Sequence, residues 1–269
     1  SSDRPTRTLP SGSVKISTTT SPGPHSVRFE VECGAQQHAV RYASPDVALT
    51  PRPEVAIAGL LLVAMAAGEA IHVDAPLDPT FRRHLDTIQD VYTTWSDALA
   101  RVAIVAGAAD PSDGAEDPAG AEGPAGVAGT DDVEAGGSKG GPPASGKTAA
   151  FFSGGVDSFY TFLKHREDID ALIFVHGFDL NLEERALRTA VSQQLQGVAD
   201  AYGKQLIEVD TTLREVTERR RMTPEFANWE LSHGSALASV AHVLSNQFDR
   251  VYIPATHTYK DVIPWGSHP

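Results

Sequence analysis

Apolar and polar positions follow two different rhythms along this chain. In the first third, Val27-Arg28-Phe29-Glu30-Val31-Glu32 alternates with period two, Cys33-Gly34 follows, and His38-Ala39-Val40-Arg41-Tyr42 resumes the alternation, which predicts a β-hairpin. The continuous apolar run at residues 53–67 predicts a buried helix, and Ala70-Ile71-His72-Val73 another strand. Asp78-Pro79 opens a second helix whose Phe81, Leu85, Ile88, Tyr92 and Trp95 share one face, and residues 101–105 read as a closing strand. Residues 25–106 therefore form a small α+β domain in this reading, without a recognisable chemical motif. Residues 1–24, rich in Ser, Thr and Pro, read as a floppy lead-in without the apolar core of a signal peptide.

Beyond residue 147 the rhythm becomes strand, helix, strand, helix. Short apolar runs at residues 148–152, 171–175, 205–209 and 250–253 predict four strands buried on both faces. Between them, Leu187, Val191, Leu195, Val198 and Tyr202 fall on one helical face, with Gly203 as the stop, and Leu237, Val240, Ala241, Leu244 and Phe248 repeat the pattern. Such alternation predicts an α/β fold, an open parallel sheet with helices on both faces, over residues 148–269. Residues 107–147 separate the two rhythms. They are nearly all Gly, Ala, Pro, Ser and acids, too poor in branched and aromatic side chains to offset the entropy of ordering, and read as a disordered linker.

Charge adds one constraint. The net charge is −13, of which eight acids and two lysines in residues 107–147 carry −6, leaving −7 for the rest. An acidic balance argues against a broad nucleic-acid surface, which needs clustered Lys and Arg. Arg219-Arg220-Arg221 is a local exception, read as a solvated helix face. The single cysteine, Cys33, leaves no internal disulfide and no Cys-based zinc site, which fits a reducing cytoplasm. The longest apolar stretch, residues 55–67, is shorter than the ~20 residues of a membrane span. His38, His72 and His84 have no metal-ligand spacing and read as structural.

Two segments match phosphate-loop patterns. Gly141 to Thr148 satisfies G-x-x-x-x-G-K-[ST], but a Gly-Pro segment precedes it and a strand follows Lys147, the reverse of the strand-to-helix passage that converges N–H groups on phosphate. Ser153-Gly154-Gly155-Val156-Asp157-Ser158 has the required context, leaving a buried strand and entering a helix that carries Phe159, Phe162 and Leu163 inward. Two glycines admit an anion to the backbone, successive N–H groups form a nest, and the helix dipole adds to it. Ser153 and Ser158 can donate to phosphate oxygens, and Asp157 among phosphates makes sense as a Mg²⁺ ligand.

That hexapeptide resembles the SGGxDS signature of the PP-loop (N-type) ATP pyrophosphatases, a superfamily that includes GMP, NAD and asparagine synthetases, tRNA-lysidine synthetase and 7-cyano-7-deazaguanine synthase, the last of these the nearest in layout. The resemblance covers residues 148–269. It implies a five-stranded parallel sheet of the adenine nucleotide alpha hydrolase kind, binding of ATP and Mg²⁺, and cleavage between the α- and β-phosphates. An adenylated carboxylate or amide-type oxygen of a small-molecule substrate is then displaced in C–N bond formation, making the chain a ligase or amidotransferase. It further implies nucleotide contacts from Val175, His176 and Gly177 after the second strand, with Asp179 on the ribose.

Residues at the carboxyl ends of strands are the remaining candidates. Thr256 and His257 follow the fourth strand, Lys260 is the expected catalytic cation beside Asp157, and His233 lies at the start of the helix before that strand. Four strands against the superfamily's five predict that the sheet is completed by a second polypeptide or a homodimer, with the segment from Pro264 onward at that junction. A tRNA-modifying ligase and a nucleotide-binding subunit without turnover are the alternative readings.

Overall fold

The computed structural model describes residues 13–19, 23–33, 36–107, 145–219, 228–257, 260 and 263–267. The expected linker lies largely outside them, as do Arg220 and Arg221. Among the described residues nine strands form one mixed sheet: β1 (Ser13–Thr19), β2 (Ser26–Cys33), β3 (Gln36–Ala43), β4 (Ala70–Val73), β5 (Ile104–Ala106), β6 (Thr148–Phe151), β7 (Ala171–His176), β8 (Gln205–Thr211) and β9 (Arg250–Tyr252). Their order is β5-β4-β1-β2-β3-β8-β7-β6-β9. The described α-helices are α1 (Pro53–Ala67), α2 (Pro79–Trp95), α3 (Val156–His165), α4 (Arg185–Ala201) and α5 (Trp229–Val243), and a π-helical turn spans Glu215–Arg219. None is long and apolar enough to cross a membrane, among the described residues.

The α/β class and the parallel arrangement of β8, β7, β6 and β9 agree with the periodicity. β6 and β7 are buried at every position, as strands covered on both faces must be. α3 and α4 cover one face, where Phe152, Phe162, Phe174 and Leu195 form an apolar cluster. α1, α2 and α5 cover the other, with Ile57, Leu60, Ile173, Val209 and Val240 in a larger core.

Two expectations are corrected. The lead-in is structured from Ser13: β1 pairs antiparallel with β2 and parallel with β4, burying Val14 and Ile16. Nor does the N-terminal unit keep a sheet of its own. β3 joins β8 antiparallel through Tyr42↔Thr211 and Ala43↔Asp210, so the fifth strand beside the parallel four comes from the N-terminal half. One core then spans both halves, because α1 lies against α5 and the Tyr42 hydroxyl meets Ser239 of that helix. α1 is apolar all round for the same reason, being enclosed on every side. It starts at Pro53, and Gly68 in the left-handed region (φ 69°) ends it.

The parallel strands run in chain order outward from β6 in two directions, β7 and β8 to one side and β9 to the other. The reversal point therefore falls between β6 and β9. A crevice opens at the carboxyl ends of two such strands, because their connections leave to opposite faces.

Candidate functional site

At that crevice lies a cavity of about 300 Å³. Its floor is the turn after β6. Gly154 adopts φ 78°, a left-handed conformation that side chains with a Cβ resist, and this reverses the chain into α3. Gly155 is the N-cap of α3 and has no side chain to satisfy the helix's first N–H groups. Ser153, Gly155, Val156, Asp157 and Ser158 all line the cavity, and no side chain caps α3, so the backbone N–H groups of its first turn are left for an anion. The Ser158 hydroxyl donates to the Gly155 carbonyl at 2.8 Å, which assigns it to holding the turn. Ser153 supplies the other hydroxyl of the loop.

Asp157 faces the end of β9. Its Oδ2 accepts from the Thr256 hydroxyl at 3.0 Å, linking the two strands that flank the crevice. Among the described residues no group of three or more His, Cys, Asp or Glu makes a metal cage. Mg²⁺ bound with a nucleotide typically takes one or two carboxylates, the remainder of its shell being phosphate and water, and a single oriented Asp157 fits that pattern.

His233, on the first turns of α5, forms the opposite wall. Its Nδ1 lies 3.0 Å from the Trp229 carbonyl, which only accepts, so Nδ1 carries the proton and Nε2 accepts from the Ser267 hydroxyl at 2.9 Å. Burial pushes its proton affinity below that of a free histidine, partly opposed by the backbone contacts with Trp229 and Glu230. The neutral ring therefore fastens the segment Trp265-Gly266-Ser267 to α5. Gly234 meets Gly266 so closely that a Cβ there would stand 1.7 Å from the Gly266 carbonyl oxygen. Trp265 packs edge-on to His233 and to His257, each at 5.4 Å between ring centres, and its indole N–H is buried without a hydrogen-bond partner.

Of the residues expected here, Ser153, Gly155, Val156, Asp157, Ser158, His233 and Thr256 share the cavity wall, and Gly154 shapes its floor. His257 stands behind Trp265. Val175 and His176 do not reach the cavity. Val175 is buried in the core beneath it, and His176 points to the α4 face, its Nε2 2.8 Å from Glu208. That contact is the first cause of a Glu208 carboxyl below its usual range. Gly177 lines a neighbouring polar cavity of about 240 Å³, where its φ of 96° lets the chain pass the Thr211 carbonyl. Lys260 is exposed and lies outside the lining of both cavities.

Sequence reasoning missed the aromatic wall. Phe178 and Trp229 lie 4.9 Å apart on the cavity side of the sheet, and Arg214 stacks 4.3 Å over the Trp229 ring while donating to the Phe178 carbonyl at 2.7 Å. Arg214 is the one Lys or Arg among the described lining residues of the two cavities. The rejected G-x-x-x-x-G-K-T match serves another purpose: the Ser145 and Gly146 N–H groups donate to the Asp249 carboxylate, and β6 begins at Thr148. Comparison of the chain with family models, curated proteins and solved structures finds no match.

Proposed function

We propose that the cavity at the β6–β9 crevice binds ATP with Mg²⁺ and activates a small-molecule carboxylate or amide-type oxygen by adenylation. The observation that carries this reading is the convergence, in one cavity, of the uncapped first turn of α3, the Ser153 hydroxyl and the Asp157 carboxylate oriented by Thr256. The loop N–H groups receive phosphate oxygens, while Phe178, Trp229 and Trp265 offer ring faces and an indole N–H to the base. No Lys or Arg lines this cavity among the described residues, whereas Asp157, Asp179 and Glu230 do. A triphosphate entering such a site needs a cation with it. Mg²⁺, held through Asp157, would supply charge neutralisation at the phosphates. The polar cavity that shares Phe178 and Asp179 is the adjoining space for the acceptor substrate, with Arg214 at its wall.

The same lack of a lining cation favours a second reading, nucleotide binding without turnover. Pyrophosphate release separates the two. With ATP, Mg²⁺, ammonia as the nucleophile and a panel of carboxylate substrates, the first reading expects pyrophosphate from adenylation and an equal amount of AMP as ammonia displaces it, both lost in Asp157→Asn. Tight ATP binding with no pyrophosphate from any substrate would leave only the second.

A further inference from the structure

A third cavity, of about 650 Å³, lies between α1, α2 and α5, behind the helix that walls the nucleotide site. Phe81, Ile88 and Tyr92 of α2 face Leu61 of α1 and Ala238 of α5 across it. At its rim Ile88 and Val91 stay 38% and 42% exposed, so the apolar face of α2 is incompletely covered. Cavities of this size and apolar character are the kind that enclose small organic molecules, with a few polar groups fixing orientation.

One polar group is set into this wall in an unusual way. Glu54 is only 2% exposed and lines the cavity. Its Oε1 accepts the Asp78 N–H at 2.7 Å, whereas its Oε2 has no hydrogen-bond partner, with Arg52 Nε beside it at 3.4 Å as an ion pair. A buried carboxylate oxygen without a donor is costly, and buried polar atoms in folded proteins are almost always satisfied. The charges around it favour a cation: Glu54 and Asp78 line the cavity opposite a single arginine, Arg52. His242 packs edge-on to Phe81 at 5.0 Å, and burial holds its proton affinity down, so it adds no positive charge near neutrality.

We propose that this cavity binds a small amine, its ring-sized apolar body resting on the α2 face and its N–H donated to Glu54 Oε2. An anionic head would instead meet Glu54 and Asp78. The site is independent of the nucleotide reading, since none of its groups belongs to the phosphate loop.

The test is a calorimetric titration of the full chain, without nucleotide, with benzylamine, phenethylamine and tryptamine, and with indole-3-propionate as the anionic counterpart. At least one amine is expected to bind saturably and the propionate at least tenfold more weakly. Glu54→Gln, which keeps the acceptor for Asp78, should weaken the amine tenfold or more with a thermal midpoint near that of the wild type. Ala238→Leu, which fills the cavity from the partly exposed side of α5, should abolish binding. The proposal is overturned if none of the three amines saturates, if a folded Glu54→Gln binds as the wild type does, if Ala238→Leu binds undiminished, or if the propionate binds more tightly than the amines.

Discussion

Asp157 joins the loop's chemistry to the far side of the crevice, because its carboxylate accepts from Thr256 after β9 while its backbone belongs to the first turn of α3. Asp157→Asn keeps the size and can still bond the threonine, but removes the charge. It should lower affinity for ATP with Mg²⁺ by tenfold or more, about 1.4 kcal/mol, and leave the thermal midpoint nearly unchanged; equal magnesium dependence in the two proteins would remove Asp157 from the metal site. His233 and His242 carry a different prediction. Burial lowers the folded-state proton affinity of both below the unfolded value of about 6.5, so acid favours the unfolded chain. Their contribution to stability is present above that value and is lost as the pH falls below it. Thermal midpoints measured from pH 8 to pH 5 should decline below about pH 6.5, more gently in a His233→Gln, His242→Gln double variant. At this scale the turn was legible, since paired glycines after a buried strand and before a helical face call for a tight strand-to-helix reversal, and Gly154 and Gly155 make it. Arg214 was not. Its role arises from contacts with the Trp229 ring and the Phe178 carbonyl, and partners so far apart in the chain leave no local pattern.

The element that sequence reading passed over is β1. Val14 and Ile16 alternate with Lys15 and Ser17, but the surrounding Ser and Thr resemble a disordered lead-in by composition, although Thr is itself a good strand residue. Ile16 is fully enclosed between β2 and β4, so Ile16→Ala should cost about 2 to 5 kcal/mol in urea denaturation; a neutral effect would show that this strand contributes little. Residues 107–147 lead to the opposite expectation. Their entry is held by the Gly107 N–H on the carbonyls of Val73 and Ala75, and their exit by Asp249. With both ends fixed, removing residues 115–136 changes mainly the closure entropy, which varies as the logarithm of length, by less than about 1 kcal/mol. Thermal midpoint and ATP affinity should survive the deletion, and a drop of many degrees would mean that the segment packs. The helices α1, α2 and α4 were legible nearly to the residue, because Pro53, Asp78 and Gly203 mark their ends. α5 starts at Trp229 with Asn228 as its cap, in agreement with His233 being expected at the start of this helix, and Trp229 and Leu231 pack against the core while the same first turns wall a cavity.

At the scale of the whole molecule, one sheet joins a strand-rich N-terminal half to a parallel C-terminal half, and the junction is a two-residue antiparallel pairing reinforced by α1 on α5. That union was invisible to periodicity, which reports the face a strand buries and says nothing of its neighbour. Its consequence is that α5 serves two cavities at once, the β6–β9 crevice on one side and the cavity against α1 and α2 on the other. If the Ser153–Ser158 loop holds ATP with Mg²⁺ where β6 and β9 diverge, calorimetric titration of ATP into the wild type, Gly154→Val and Lys147→Ala will show it. Gly154 has a left-handed backbone, and a side chain there would press on Leu195 at 3.2 Å, so valine must deform the loop. Saturable binding that requires Mg²⁺ is expected in the wild type and in Lys147→Ala, and none in a folded Gly154→Val. Equal affinity in Gly154→Val, or loss of binding in Lys147→Ala, would contradict it.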